Sequence, residues 1–102
     1  MDPVATLERY ADRLDYIHFK DIDAAVFAAV MGERIRFFDA CGKGVMCPIG
    51  RGVIDYPGIK ATLDRLGYHG FITVEQERDP RNVGGSLADV KASRDYLRTV
   101  GF

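Results

Sequence analysis

Asp15-Tyr16-Ile17-His18-Phe19-Lys20-Asp21-Ile22 alternates the apolar Ile17 and Phe19 with the polar His18 and Lys20, and a period of two predicts a β-strand with two unlike faces. A second stretch, Phe71-Ile72-Thr73-Val74-Glu75-Gln76-Glu77, is aromatic and β-branched at its start and acidic at its end, which predicts a second strand. Helical signals surround both. Asp2 suits an N-cap and Pro3 a first helical position, ahead of Leu7, Tyr10, Ala11 and Leu14 at helical spacing. Asp23 predicts the cap of a short helix over residues 24–30, and residues 33–40 add a turn or two before Cys41-Gly42-Lys43-Gly44 breaks the chain. Residues 45–48 read as extended and Gly50-Arg51-Gly52 as a loop. Asp55 and Pro57 start a helix with Ile59, Leu63 and Leu66 on its buried side, and Gly67 stops it. After a polar loop over residues 78–85, Ser86 and Asp89 have the form of a capping box for a last helix, with Leu87, Val90, Leu97 and Val100 as its apolar side and Gly101 as its end.

Strands that alternate with helices lie parallel and are joined by a right-handed crossover, so the fold class is α/β. The chain has 102 residues, 47% of them hydrophobic, which is enough for one unit over residues 1–102 and leaves no room for a second domain. A parallel pair is normally covered on both faces, whereas two strands here have three main helices and two unpaired outer edges. The unit is therefore expected to be incomplete. With 14 basic against 15 acidic side chains and no basic cluster, nucleic acid and anionic membranes are not expected partners. The longest apolar stretch is too short to span a bilayer and no basic region precedes an apolar run at the start, which reads as a cytoplasmic protein. Cys41 and Cys47 are expected to be free thiols, since no histidine beside them completes a zinc site.

Chemistry in parallel α/β folds gathers at the carboxyl ends of strands. His18 and Lys20 share a face of the first strand with Asp21 at its exit, and Glu75 shares a face of the second with Thr73 and Glu77. If the two faces line one cavity, an imidazole and a carboxylate converge. That is half a ligand set for a divalent cation acting as a Lewis acid, although from spacing alone such a pair is more often a buried hydrogen-bonded one.

Ile17-His18-Phe19-Lys20-Asp21-Ile22, Cys47-Pro48-Ile49-Gly50-Arg51-Gly52-Val53-Ile54-Asp55-Tyr56 and Val74-Glu75-Gln76-Glu77-Arg78-Asp79-Pro80 together resemble the final strands of the xylose isomerase-like TIM-barrel family, and within it the inosose dehydratases. The resemblance covers nearly the whole chain. It implies the C-terminal part of a (β/α)8 barrel: helix 6, strand 7, helix 7, strand 8 and helix 8. It implies that His18 and Glu75 are metal ligands for Mn, Co, Mg or Zn, and that Lys20 and Asp21 are catalytic groups fixing the imidazole and meeting substrate oxygens. Arg51, in the loop similar to the family's substrate-side loop, would bind an anionic or polyhydroxy ligand; family members often carry an acidic or small residue there. Ketose epimerases of the family tend to place an arginine after the seventh-strand motif, and Asp23-Ala24-Ala25 stands there instead, which favours the dehydratase branch.

The implied activity is dehydration of an inosose (2-keto-myo-inositol) or isomerisation or epimerisation of a small polyhydroxy keto sugar through an enediolate formed beside the ion. The family draws its other two ligands from earlier strands, so the metal would be lacking in a chain that begins after strand six. Such a chain is expected to pair with itself as a homo-oligomer or with an N-terminal barrel half, because an isolated small sheet buries too little surface. A two-fold dimer uniting two His18 and two Glu75 is one form of this. The alternative, from another class, is a catalytically silent, self-associating partial barrel. A nucleic-acid repair relative of the same barrel is disfavoured because no basic groove is evident.

Overall fold

The computed structural model describes residues 1–81 and 84–102. Helix α1 (Pro3–Arg9) begins as expected, with the Asp2 carboxylate accepting from the Val4 N–H and Pro3 at the first position. It ends early, and a 3₁₀ turn over Ala11–Arg13 leads into the first strand. That strand is split. β1 (Ile17–Phe19) and β2 (Asp21–Ile22) flank Lys20 and enter different sheets. α2 (Ala24–Glu33) is capped by Asp23, α3 (Phe37–Gly42) follows, and β3 (Met46–Cys47) pairs antiparallel with β2. α4 (Tyr56–Leu66) is capped by Asp55, whose carboxylate accepts from the Gly58 N–H, and ends on Gly67 in the left-handed region at φ 66°. β4 (Ile72–Val74) is shorter than the stretch predicted for it, and α5 (Ser86–Val100) completes the order.

β1 and β4 run parallel in the register Ile17–Ile72, His18–Thr73 and Phe19–Val74. The apolar members of this register share one face. Phe19 joins Ile49, Tyr56, Ile59, Leu63 and Leu97 in the main core, with Ile17, Ile72, Val74 and Phe102 packed against it. Burying a side chain such as Ile59 or Leu63 stabilises the fold by about 1.5–3 kcal/mol. A second cluster, Val30, Ala40 and Val45 with Val26, Ile35 and Met46, holds α2, α3 and the small antiparallel ladder together.

Three helix expectations are corrected. Leu66 is largely outside the core at 37% exposure, because it closes α4 just before Gly67, a turn beyond buried Leu63. Leu87 and Val90 are exposed as well, at 83% and 44%, since α5 reaches the core only through its C-terminal half at Ser93 and Leu97. Among the described residues the capping box does not form, and the Asp89 N–H donates to the Gly85 carbonyl. Gly85, in the left-handed region at φ 82°, is the N-cap, so Ser86 lies inside the helix, and the Asp89 carboxylate pairs with the Arg78 guanidinium.

Candidate functional site

The polar residues of the two parallel strands stand on the face opposite the core. Register sets His18 beside Thr73, and the Glu75 N–H extends the ladder by donating to the Phe19 carbonyl at 2.8 Å, which brings the Glu75 side chain level with His18 and Lys20. His18 Nδ1 lies 2.8 Å from Glu75 Oε1, and Lys20 Nζ lies 2.7 Å from Glu75 Oε2. One carboxylate thus serves a side chain of β1 and the one that follows the strand. Farther along, Glu77 Oε1 is 3.7 Å from the same ammonium. At the other end Tyr16 crosses His18 edge to face, with ring centroids 5.1 Å apart, and shares a hydrogen bond with Thr73.

This geometry has electrostatic consequences. The hydrogen bond from Lys20, then that from His18, holds the Glu75 carboxyl below its usual range, and the same Glu75 contact raises the Lys20 ammonium above its own. The ammonium is a donor at neutral pH, not a base. The contact with Glu75 uses the Nδ1 side of the imidazole. His18 and Glu75 are side by side and partly open to solvent, with 46% and 33% of their side-chain surface exposed, so an ion has access.

Asp21 does something other than fix the imidazole. It is 1% exposed, and its carboxylate accepts from the backbone N–H groups of Ile22, Gly50, Gly52 and Ile54 at 2.9, 2.9, 3.1 and 3.1 Å. The last three of these bonds tie the loop over residues 50–54 to the exit of β1. Gly52 is required where it stands, because a Cβ there would overlap the Asp21 carboxylate. The same loop is held from behind by Ser93, whose Oγ accepts from the Ile49 N–H at 2.9 Å, and by the Tyr96 ring beneath Gly50. Tyr56 donates to the Lys20 carbonyl at 2.7 Å, and burial, followed by the Asp21 charge, holds its hydroxyl far above the ordinary range. Arg51 is exposed on this anchored loop.

The sequence gives no sign of Tyr56 or Ser93 as groups supporting the site. Tyr56 and Ser93 act through backbone atoms distant in sequence, while the period of two already aligned Glu77 with Glu75. Cys41 and Cys47 are free and buried, and burial raises both thiols. Among the described residues no three His, Cys, Asp or Glu side chains gather as a metal-holding group. His18 and Glu75 are two donors of the kinds a divalent ion takes, and a site for one would need further donors from outside this cluster.

A family model for the xylose isomerase-like TIM barrel matches residues 1–100. The inosose dehydratase of Yersinia enterocolitica is 37% identical over 98 residues, covering 96% of this chain and 33% of that protein. That of Geobacillus kaustophilus is 38% identical over 96 residues, covering 94% and 31%. The rhizopine catabolism protein MocC of Rhizobium meliloti is 38% identical over 96 residues, covering 94% and 29%. The chain thus spans roughly a third of the length of these curated relatives. No solved structure matches it.

Proposed function

Because the chain belongs to the xylose isomerase-like TIM barrel family, we propose that it supplies the seventh- and eighth-strand side of a divalent-metal site that dehydrates an inosose or isomerises or epimerises a related keto sugar. The observation that carries this reading is the junction of His18, Glu75 and Lys20 at the ends of two adjacent parallel strands. His18 and Glu75 would hold the ion. When bound, it supplies Lewis-acid polarisation of adjacent carbonyl and hydroxyl oxygens, which acidifies the neighbouring C–H.

The Lys20 ammonium would donate a hydrogen bond to a substrate oxygen, stabilising negative charge as it develops during proton removal. Dehydration follows when a hydroxyl leaves from the next carbon; epimerisation follows when the proton returns to the opposite face. The base that moves the proton would come from elsewhere in the barrel, since Lys20 stays protonated and the Glu75 carboxylate is already engaged. Arg51 would make an outer contact with the polyhydroxy ligand, and Asp21 would be the positioning residue that fixes the Arg51 loop.

A silent, self-associating partial barrel is the second reading, favoured by the two-donor set and by exposed apolar side chains such as Phe71, at 83%. One assay separates the two. The chain is incubated with Mn²⁺ or Co²⁺ and an inosose or ketose, both alone and fused behind the first two thirds of a curated inosose dehydratase. Metal uptake with turnover in the fusion is the expected result; neither in either form would leave the silent module.

A further inference from the structure

Lys20 stands between two carboxylates, with Nζ 2.7 Å from Glu75 Oε2 and 3.7 Å from Glu77 Oε1. The other oxygen of Glu77, Oε2, is buried and accepts no hydrogen bond among the described residues. An ionised carboxylate has about four acceptor sites, so Glu77 holds unused capacity beside a cation whose nearer partner is Glu75. A divalent ion at His18 and Glu75 would change that balance. It would claim Glu75 oxygens and place like charge beside the ammonium, and both effects push Lys20 off its nearer partner. Both carboxylates already lie within 3.7 Å of the ammonium, so a side-chain rotation toward Glu77 keeps it paired.

We propose that Glu77 is a positioning residue, a second station that receives the Lys20 ammonium when Glu75 turns to a divalent ion and keeps it at the site instead of releasing it to solvent. The functional meaning rests on the metal reading of His18 and Glu75 given above, whereas the existence of the second station does not. Lys20 then follows the occupancy of Glu75: bound to it in the empty state, bound to Glu77 and pointed at the substrate oxygens in the loaded one.

The test follows the Lys20 side chain by NMR in the full chain carrying ¹³Cε, ¹⁵N-labelled lysine, with Lys43, Lys60 and Lys91 as internal references. Glu75→Gln removes the nearer charge at nearly constant shape, and the amide spectrum checks that the fold is kept. Lys20 is expected to stay restrained in Glu75→Gln and to fall to the mobility of exposed Lys43 only when Glu77→Gln is added. Complete release in Glu75→Gln alone, or no release in the double variant, would overturn the second station. A Zn²⁺ titration of the unsubstituted chain adds an arm that needs no variant. Shifted His18 imidazole signals with Lys20 still restrained support the proposal, and shifted His18 signals with Lys20 mobile refute it. An unresponsive His18 counts against the metal reading and leaves the substitution arm to decide on Glu77.

Discussion

Glu75 joins both strands through one functional group, and its two oxygens are shared between an imidazole and an ammonium. The lowered Glu75 pKa means that its contribution to stability is present above the ordinary value of 4.5 and is lost as pH falls through the depressed one. Lys20 works in the opposite sense: its raised pKa gives a contribution that is complete below 10.5 and is lost as pH rises through the raised value. Between these limits the contact is intact. A carboxyl ¹³C titration is expected to find the Glu75 midpoint below 4.5 and to find it higher in Lys20→Met, because the Lys20 hydrogen bond is the largest cause of the shift. An unmoved midpoint in that variant would show that the ammonium is not held there in solution.

At the scale of elements, the loop over residues 50–54 leaves a turn closed by the Arg51 N–H on the Pro48 carbonyl and is then held by one buried side chain, Asp21. Removing the Asp21 carboxylate leaves the N–H groups of Gly50, Gly52 and Ile54 without their acceptor. Hydrogen bonds to a charged group are worth about 1.5–3 kcal/mol each, with strong overlap when they share one acceptor, so Asp21→Ala is expected to lower unfolding stability by about 3 kcal/mol. Urea denaturation measures it, and a loss under about 0.5 kcal/mol, the range of neutral surface substitutions, would show that the loop stands without the staple. This role was not legible in the sequence. Asp21 looked catalytic because it follows His18 and Lys20, and nothing local announces partners some thirty residues away. Local chemistry was legible: Asp2, Asp23 and Asp55 each cap the helix that follows, and Gly67 and Gly101 end α4 and α5 in left-handed conformations. The parallel pairing and the common face of His18 and Glu75 were also readable, since both follow from the period of a strand. The antiparallel β2–β3 ladder was missed because two-residue strands have no period to read. Ser86 misled because a glycine in the left-handed region can take the N-cap that a serine would otherwise fill.

For the whole molecule, the parallel pair, its crossover helices and the family match together make a partial TIM barrel, spanning about a third of the relatives' length. Among the described residues β1 and β4 pair only with each other, and Phe71 and Leu87 expose most of their surface, so further barrel strands or another copy have both edges and apolar area to cover. No helix among the described residues is long and apolar enough to cross a membrane. His18 and Glu75 are proposed to grip one ion from adjacent strands. The most direct measurement is Co²⁺ uptake, followed by visible absorption and by the shifted imidazole signals of His18, in the chain fused behind the first two thirds of a curated inosose dehydratase. One ion per fused chain is expected, with His18 signals displaced and uptake weakened ~10-fold or more in both His18→Ala and Glu75→Gln, the scale expected for loss of a metal-site group. Uptake unchanged in both variants would contradict it.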